Sequence, residues 1–218
     1  MKTRWIKMVL VLLTTFLLCN ATGRGIEASE IRVPADYPTI QQGIDACPEN
    51  GTVTVEAGTY SEEIWLTKKI TLIGIGMPTI TGAHNHNVYL WGNGSILGFR
   101  ITNARLNGIE CRGTSSVIAN NIISGNNWAI YADLGASPLI INNVLTKNSA
   151  GIVCERGSSP IITNNIIAEN NDGIGSYNGS TPRIDYNNWW NRNVNFDHCS
   201  PGPHDIFVDP QFVSTSTE

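Results

Sequence analysis

The hydrophobic positions of this chain fall into short runs that recur with a fixed period. From Val117 to Pro182 three segments follow without a gap, VIANNIISGNNWAIYADLGASP, LIINNVLTKNSAGIVCERGSSP and IITNNIIAENNDGIGSYNGSTP, each of 22 residues. Within the second, apolar runs at Leu139–Ile141, Val144–Leu145 and Ile152–Val153 are separated by Asn, Gly, Ser and Pro. None is long enough for a helix and turn chemistry bounds each, so the pattern predicts three short strands per repeat. Leucine-rich repeats share this range of periods, but their return path is a helix or loop rather than two further strand-like sides. The expected fold is all-β, a single-stranded parallel β-helix.

In such a coil each residue lies above its counterpart one repeat away, at the ~4.8 Å spacing of hydrogen-bonded strands. Three inward columns result: Ile118, Ile140, Ile162 and Ile184; Ile123, Leu145, Ile167 and Trp189; Ile130, Ile152 and Ile174. At roughly 1.5–3 kcal/mol per buried aliphatic side chain, these columns can hold a chain whose every coil relies on its neighbours. Asn-Asn pairs recur at Asn120/Asn121, Asn142/Asn143 and Asn164/Asn165, and Asn187/Asn188 follows with Tyr186 in the first place. One asparagine of each pair is expected to turn the corner in a left-handed conformation, its amides stacking in a ladder along the axis.

Upstream, Ser95–Ser116 extends the pattern less regularly, and VTVEAGTY, IWLTKKITLIGIG, PTITG and NVYLWGN supply strands for about two further coils. The expected total is about six to seven coils. Both open ends of a β-helix need covers. Between Pro38 and Pro48, TIQQGIDAC sets Thr39 and Gln42 at capping-box spacing with Ile40, Ile44 and Cys47 on one face, which predicts a short capping helix within 38–48. Residues 189–218, rich in aromatics and proline, are the expected cap at the other end of one domain spanning 30–218.

The stretch VPADYPTIQQGIDACPENGTVTVEAGTYSEEIWLTKKITLIGIG resembles the opening of pectin-lyase-like proteins, particularly pectin methylesterases and the NosD-like proteins of copper-site assembly. The NNIIxxNxxGI repeats are similar to the right-handed parallel β-helix repeat of that superfamily. The resemblance implies a right-handed coil and a polysaccharide-binding strand face. It does not fix an activity, since the repeat is found in esterases, lyases, hydrolases, epimerases and proteins without known chemistry. Gly58, Tyr60 and Glu62 match the early GxYxE element of the methylesterases, but the QDTL and DFIFG strings that carry their catalytic aspartates are absent from this chain. So is the WiDH segment of pectate lyases, and PHDIFVDP shares only letters with the DPHD string of alginate epimerases.

Lys2, Arg4 and Lys7 precede an apolar run, Met8–Leu18, and small residues follow around Ala21. This is the pattern of a secretory signal over 1–21, cleaved as late as Ala28, with a periplasmic or extracellular destination. The run is too short for a stable membrane span, so no membrane anchor is expected. Cleavage after Ala21 leaves 11 Lys and Arg against 18 Asp and Glu, which disfavours nucleic acid as a partner. A monomer is expected. Cys111 and Cys154 point inward two coils apart, about 9.6 Å, beyond disulfide reach. Cys47 and Cys199 belong to opposite caps.

Candidate chemistry collects on the outward positions of the strand carrying Ile130, Ile152 and Ile174. Aligning GIECRG, AIYADLG, GIVCERG and GIGSYNG gives one outward column of Glu110, Tyr131, Val153 and Gly175, and a second of Arg112, Asp133, Glu155 and Tyr177. Tyr89 and Trp91 extend the face. Rings cover the apolar faces of sugars while charged groups take their hydroxyls, so the expected substrate-binding set is Tyr89, Trp91, Glu110, Arg112, Tyr131, Asp133, Glu155 and Tyr177. The same residues also suit an ordinary solvated strand. Asp133 and Glu155, on adjacent coils and facing solvent, would lie about 5 Å apart, the spacing of a retaining glycosidase pair. Such crowding would raise one pKa or attract a cation such as calcium. No other cofactor is expected, although His84 and His86, and separately His198, Cys199 and His204, are donor types that suit copper or zinc. The expected partner is a polysaccharide or glycan. The alternatives are a polysaccharide-active lyase, hydrolase or esterase, and a structural surface module.

Overall fold

The computed structural model describes residues 30–212. The expected secretory signal, 1–21 or 1–28, lies outside the described residues. No helix among those described is long and apolar enough to cross a membrane.

Short strands of three to six residues wind into three parallel sheets. The first sheet holds eight strands, the second and third seven each. The coil count is therefore about eight, above the six to seven expected. The first coils escaped the count because their lengths vary: Glu30 pairs with Thr52, Thr52 with Thr71, Thr71 with Ser95 and Ser95 with Val117, so no fixed period marks them.

From Val117 onward the predicted columns are the observed ones. Ile118, Ile140, Ile162 and Ile184 are register neighbours in the first sheet. Ile123, Leu145, Ile167 and Trp189 are neighbours in the second, and Ile130, Ile152 and Ile174 in the third. All but Ile184 are fully buried. Cys111, Ala132, Cys154 and Ser176 form a neighbouring inward column of small residues, and Cys47, Cys111, Cys154 and Cys199 are all free thiols.

The paired asparagines divide two tasks that the sequence suggested for one. The first member turns the corner: Asn120, Asn142 and Asn164 have φ of 56°, 57° and 54°, and Tyr186 follows at 62°. The second is buried and builds the ladder. Asn121, Asn143 and Asn165 each donate both backbone N–H and side-chain amide to the Oδ1 of the next, at 2.9–3.1 Å, ending at Asn187. Each amide also reaches back one coil, as Asn143 Nδ2 does to the carbonyl of Ile118 at 2.9 Å. A second ladder climbs the next corner through Asn126, Asn148, Asn170 and Asn191 and stops at Asn195. A buried amide without partners would cost about 1–3 kcal/mol; stacking satisfies nearly every one with its own copy.

Helix α1 (Ile40–Ala46) covers the first coil, burying Ile40, Gly43 and Ile44. Thr39 accepts from the N–H of Gln42 at 3.2 Å, but the Gln42 side chain does not complete a box. Instead the carboxylate of Glu62 accepts from the N–H groups of Ile40 and Gln41, both at 3.0 Å. At the other terminus Lys68 Nζ donates to the carbonyls of Ile44, Asp45 and Cys47 at 3.2, 2.7 and 2.9 Å. The charges complement the helix dipole at both ends. At the far end of the molecule the strands continue to Asp197, further than the predicted cap boundary at 189. Beyond them Ile206 pairs alongside Asn188, and Asn188 exchanges two side-chain hydrogen bonds with Val208 at 2.9 and 3.0 Å.

Candidate functional site

The outer face of the third sheet carries the predicted residues in the predicted register: Tyr89 beside Glu110, Glu110 beside Tyr131, Tyr131 beside Val153 and Val153 beside Gly175. The adjoining outward column begins with Arg112 beside Asp133.

Aromatic side chains gather at the N-terminal end of this face. Trp65 neighbours Tyr89, and their rings stack 3.9 Å apart at 15°. Trp91 stands edge-on to Trp65 at 5.6 Å and is 49% exposed. The helical cap fixes this group, because Gln41 of α1 accepts from the backbone N–H of Trp65 at 2.8 Å and so supplies the acceptor of a missing strand. Further along, Trp128 and Tyr131 form a second cluster, with centroids 5.0 Å apart at 31°.

Between and beside these clusters runs a chain of charges. Glu110 is 1% exposed. Its Oε2 contacts Nδ1 of His86 at 2.7 Å and accepts from Nδ2 of Asn107 at 3.0 Å, while Oε1 pairs with Arg112. Burial alone would raise the Glu110 pKa, but His86, Arg112 and Asn107 together hold it below the ordinary glutamate value. Arg112 also lies 3.6 Å from Asp133, which is fully buried. Asp133 is gripped by both Nε and Nη2 of Arg156. Arg156 can reach back because it occupies the left-handed region, φ 48°, in the turn after Glu155. Hydrogen bonding to Asp133 raises the Arg156 pKa further.

Three expectations are corrected. Glu110 and Asp133 point outward, as alternation requires, but they are not solvated; arginines cover them. Asp133 and Glu155 do not form a solvent-facing carboxylate pair, since Asp133 is held by Arg156 and Glu155 accepts from Asn178. Tyr177 does not project either. Its ring lies over Gly175, where a Cβ would come within 2.5 Å of the hydroxyl, and the hydroxyl donates to Asp197 at 2.6 Å. This bond, partial burial and the nearby carboxylates push its pKa up to about 12. The side chains left most open are Trp91, 49% exposed, and the two arginines, Arg112 at 38% and Arg156 at 52%.

The histidines have separate surroundings. His86 belongs to Glu110, His198 lies 3.6 Å from Asp197, and His204 Nδ1 contacts Asp185 at 3.0 Å while stacking on Tyr186. Among the described residues no group of three or more His, Cys, Asp or Glu is placed to hold a metal ion. Two concavities of about 300 and 540 Å³ lie around Lys147, Glu169 and Arg192, and neither includes a residue of the aromatic face.

Trp65, His86, Asn107, Trp128 and Arg156 were missing from the sequence-predicted set. Trp65 and Trp128 carried a signal, since extending the outward column upstream reaches Trp65 and the position before the Gly/Ala-Ile pair reaches Trp128. Arg156 carried none, because only the left-handed turn sends it to a neighbouring coil.

A family profile described as the right handed beta helix region matches residues 71–202, more than half of the chain. The chain belongs to this family, and its parallel coil is the right-handed one that the repeat resemblance implies. No match was found among curated proteins. Among solved structures, the pectin methylesterase from Aspergillus niger is similar at 13% identity and a TM-score of 0.41, over 87% of this chain and 93% of that one.

Proposed function

We propose that this protein is a secreted polysaccharide- or glycan-binding module, with the outer face of the third sheet as its binding surface. The observation that carries the reading is the Trp65/Tyr89 stack with exposed Trp91 beside it, set next to half-exposed Arg112. Trp91, edge-on to that stack, keeps an exposed apolar ring that suits the C–H face of a pyranose, and the guanidinium N–H groups beside it can donate to hydroxyls. The face is pre-organised, because α1 holds Trp65 and the ion pairs hold the arginines. Binding therefore orders few side chains. The acidic side chains support binding over turnover: Glu110 and Asp133 are committed to arginines, and neither is free to move a proton.

Calorimetry of the mature protein against a panel of soluble oligosaccharides tests this, with mass analysis of each mixture. Binding that falls about tenfold or more in Trp91→Ala, with unchanged ligand masses, is the expected result. Ligand fragments of new mass would replace the binding reading with an enzymatic one, and no binding to any glycan would remove it.

A further inference from the structure

The outer face of the first sheet takes no part in the glycan-binding reading above, and it is aliphatic where water alone would favour polar side chains. Strand alternation turns two columns outward. One runs Arg32, Thr54, Ile73, Leu97, Ala119, Ile141, Thr163 and Asp185 in unbroken register. The other runs from Glu30 through Thr52, Thr71 and Ser95 to Val117, Leu139, Ile161 and Arg183. The middle of the face is therefore mostly aliphatic and both ends are charged. All of these residues but Ala119 are partly or largely open to solvent, Ile161 by 45%. A contiguous aliphatic strip rimmed by polar and charged groups is the make-up of a contact surface.

The order of the first column points to what covers it. Read from either end it passes a charge, a threonine and an isoleucine before the central Leu97 and Ala119, and only the sign of the charge inverts. A twofold axis along the strand direction, crossing between Leu97 and Ala119, lays this column on its own copy with the coil axes antiparallel. Ile73 then meets Ile141, Thr54 meets Thr163 and Arg32 meets Asp185. The same rotation sets Glu30 opposite Arg183, and lays Val117, Leu139 and Ile161 over the shorter Ser95, Thr71 and Thr52. Sheets packed face to face adopt this aligned arrangement. The end charges are exposed, so they select the setting more than they drive association. Eight strands span seven spacings, roughly 34 Å, and three residues per strand give about 10 Å of width. With the bordering turns, two copies bury on the order of 1,000 Å2, the lower limit of a specific contact.

We infer that the protein forms a reversible antiparallel dimer through the outer faces of its first sheets, in place of the expected monomer. Both third sheets stay uncovered, so the dimer presents that face twice and can engage one long partner at two points. Sedimentation equilibrium of the mature protein across micromolar concentrations decides it. Expected is a rise in mass from one chain toward two, while Ile141→Arg stays at one chain with an unchanged circular dichroism spectrum. Glu30→Arg and Arg183→Glu should each weaken association about threefold or more. The double variant should restore it, because each copy again meets the opposite charge. If Ile141→Arg does not fold, the exposed charge swaps still decide. A protein that stays a single chain at every concentration would overturn the inference, as would a dimer that Ile141→Arg leaves intact. A double variant no tighter than the single ones would overturn the antiparallel setting.

Discussion

Asp205 accepts both the backbone N–H and the side-chain amide of Asn187, at 2.7 and 3.1 Å, and closes with a carboxylate the ladder that starts at Asn121. Each asparagine below it gives two donors forward and offers one oxygen back. The last rung therefore needs an acceptor that is not a further asparagine of the stack, which the Asp205 carboxylate supplies. Its second oxygen takes the N–H of Gly202 at 2.9 Å, so the same carboxylate ties the terminal segment to the last coil.

Replacing Asp205 by Ala leaves the backbone N–H of a buried asparagine unmet, while its side-chain amide keeps the carbonyls of Ile162 and Asp185. A loss of about 1–3 kcal/mol is expected, measured by denaturant unfolding with an unchanged m-value. Asp205→Asn, which keeps one acceptor oxygen, should lose less. Equal losses in the two variants would mean that the carboxylate is not what terminates the ladder.

The helical cap is predicted to depend on side chains from the following coil. Glu62→Ala removes the acceptor for the N–H groups of Ile40 and Gln41, and a cost of about 0.5–2 kcal/mol is expected. Because Gln41 also binds the backbone of Trp65, the change should alter the emission of that indole before global unfolding. Tryptophan emission that tracks the global transition alone would argue that cap and platform are uncoupled.

Acid should weaken the protein partly through Glu110. Its native pKa is depressed, with His86, Arg112 and Asn107 outweighing burial, while the unfolded value is the ordinary one near about 4.3. The stabilisation is therefore complete above that value and disappears as pH falls through the lower native one. Plotted against pH, the melting temperature of Glu110→Gln should run flatter than that of wild type in this acid range. A constant offset between the two curves would show that Glu110 is not a source of the acid dependence.

Thiol labelling reports whether the inward column is closed. Burial raises the pKa of Cys111 and Cys154, and raises Cys199 up to about 11. Since the thiolate is the reactive form, native protein at neutral pH should resist iodoacetamide at all three and react fully in denaturant, as read by intact mass. Rapid native labelling of Cys111 or Cys154 would contradict their burial.

How much of this was legible in the sequence follows from how local each feature is. The columns through Ile118, Ile123 and Ile130 were readable because a constant 22-residue step forces register, and each aliphatic residue has only its own column to join. The outward column from Tyr89 to Gly175 came with them. The first coils were not, since steps from Glu30 to Thr52, Thr71 and Ser95 are unequal and the apolar runs alone do not mark turn lengths. Alternation correctly sent Asp133 and Glu110 outward, yet outward is not the same as wet. Their burial depends on Arg156 folding back through a left-handed turn and on Arg112 lying across both. Such long side chains obey no period, and their positions are decided between coils. Asp205 was equally silent, because its role is set by what the asparagine before it lacks.

The direction of the asparagine ladders bears on how this molecule changes length. Between Ile118 and Ile184 every joint repeats the same donors, acceptor and apolar neighbours. Excising the whole coil 161–182 would set Asn143 against Asn187 with the geometry it now has against Asn165, and it spares the Asp133–Arg156 pair that excising 139–160 would break. Duplicating that coil would be equally silent, because only the last rung requires Asp205. A lineage carrying this architecture can thus resize its rod in whole-coil quanta without redesigning either end, while any fractional insertion in a strand must break two amide stacks at once.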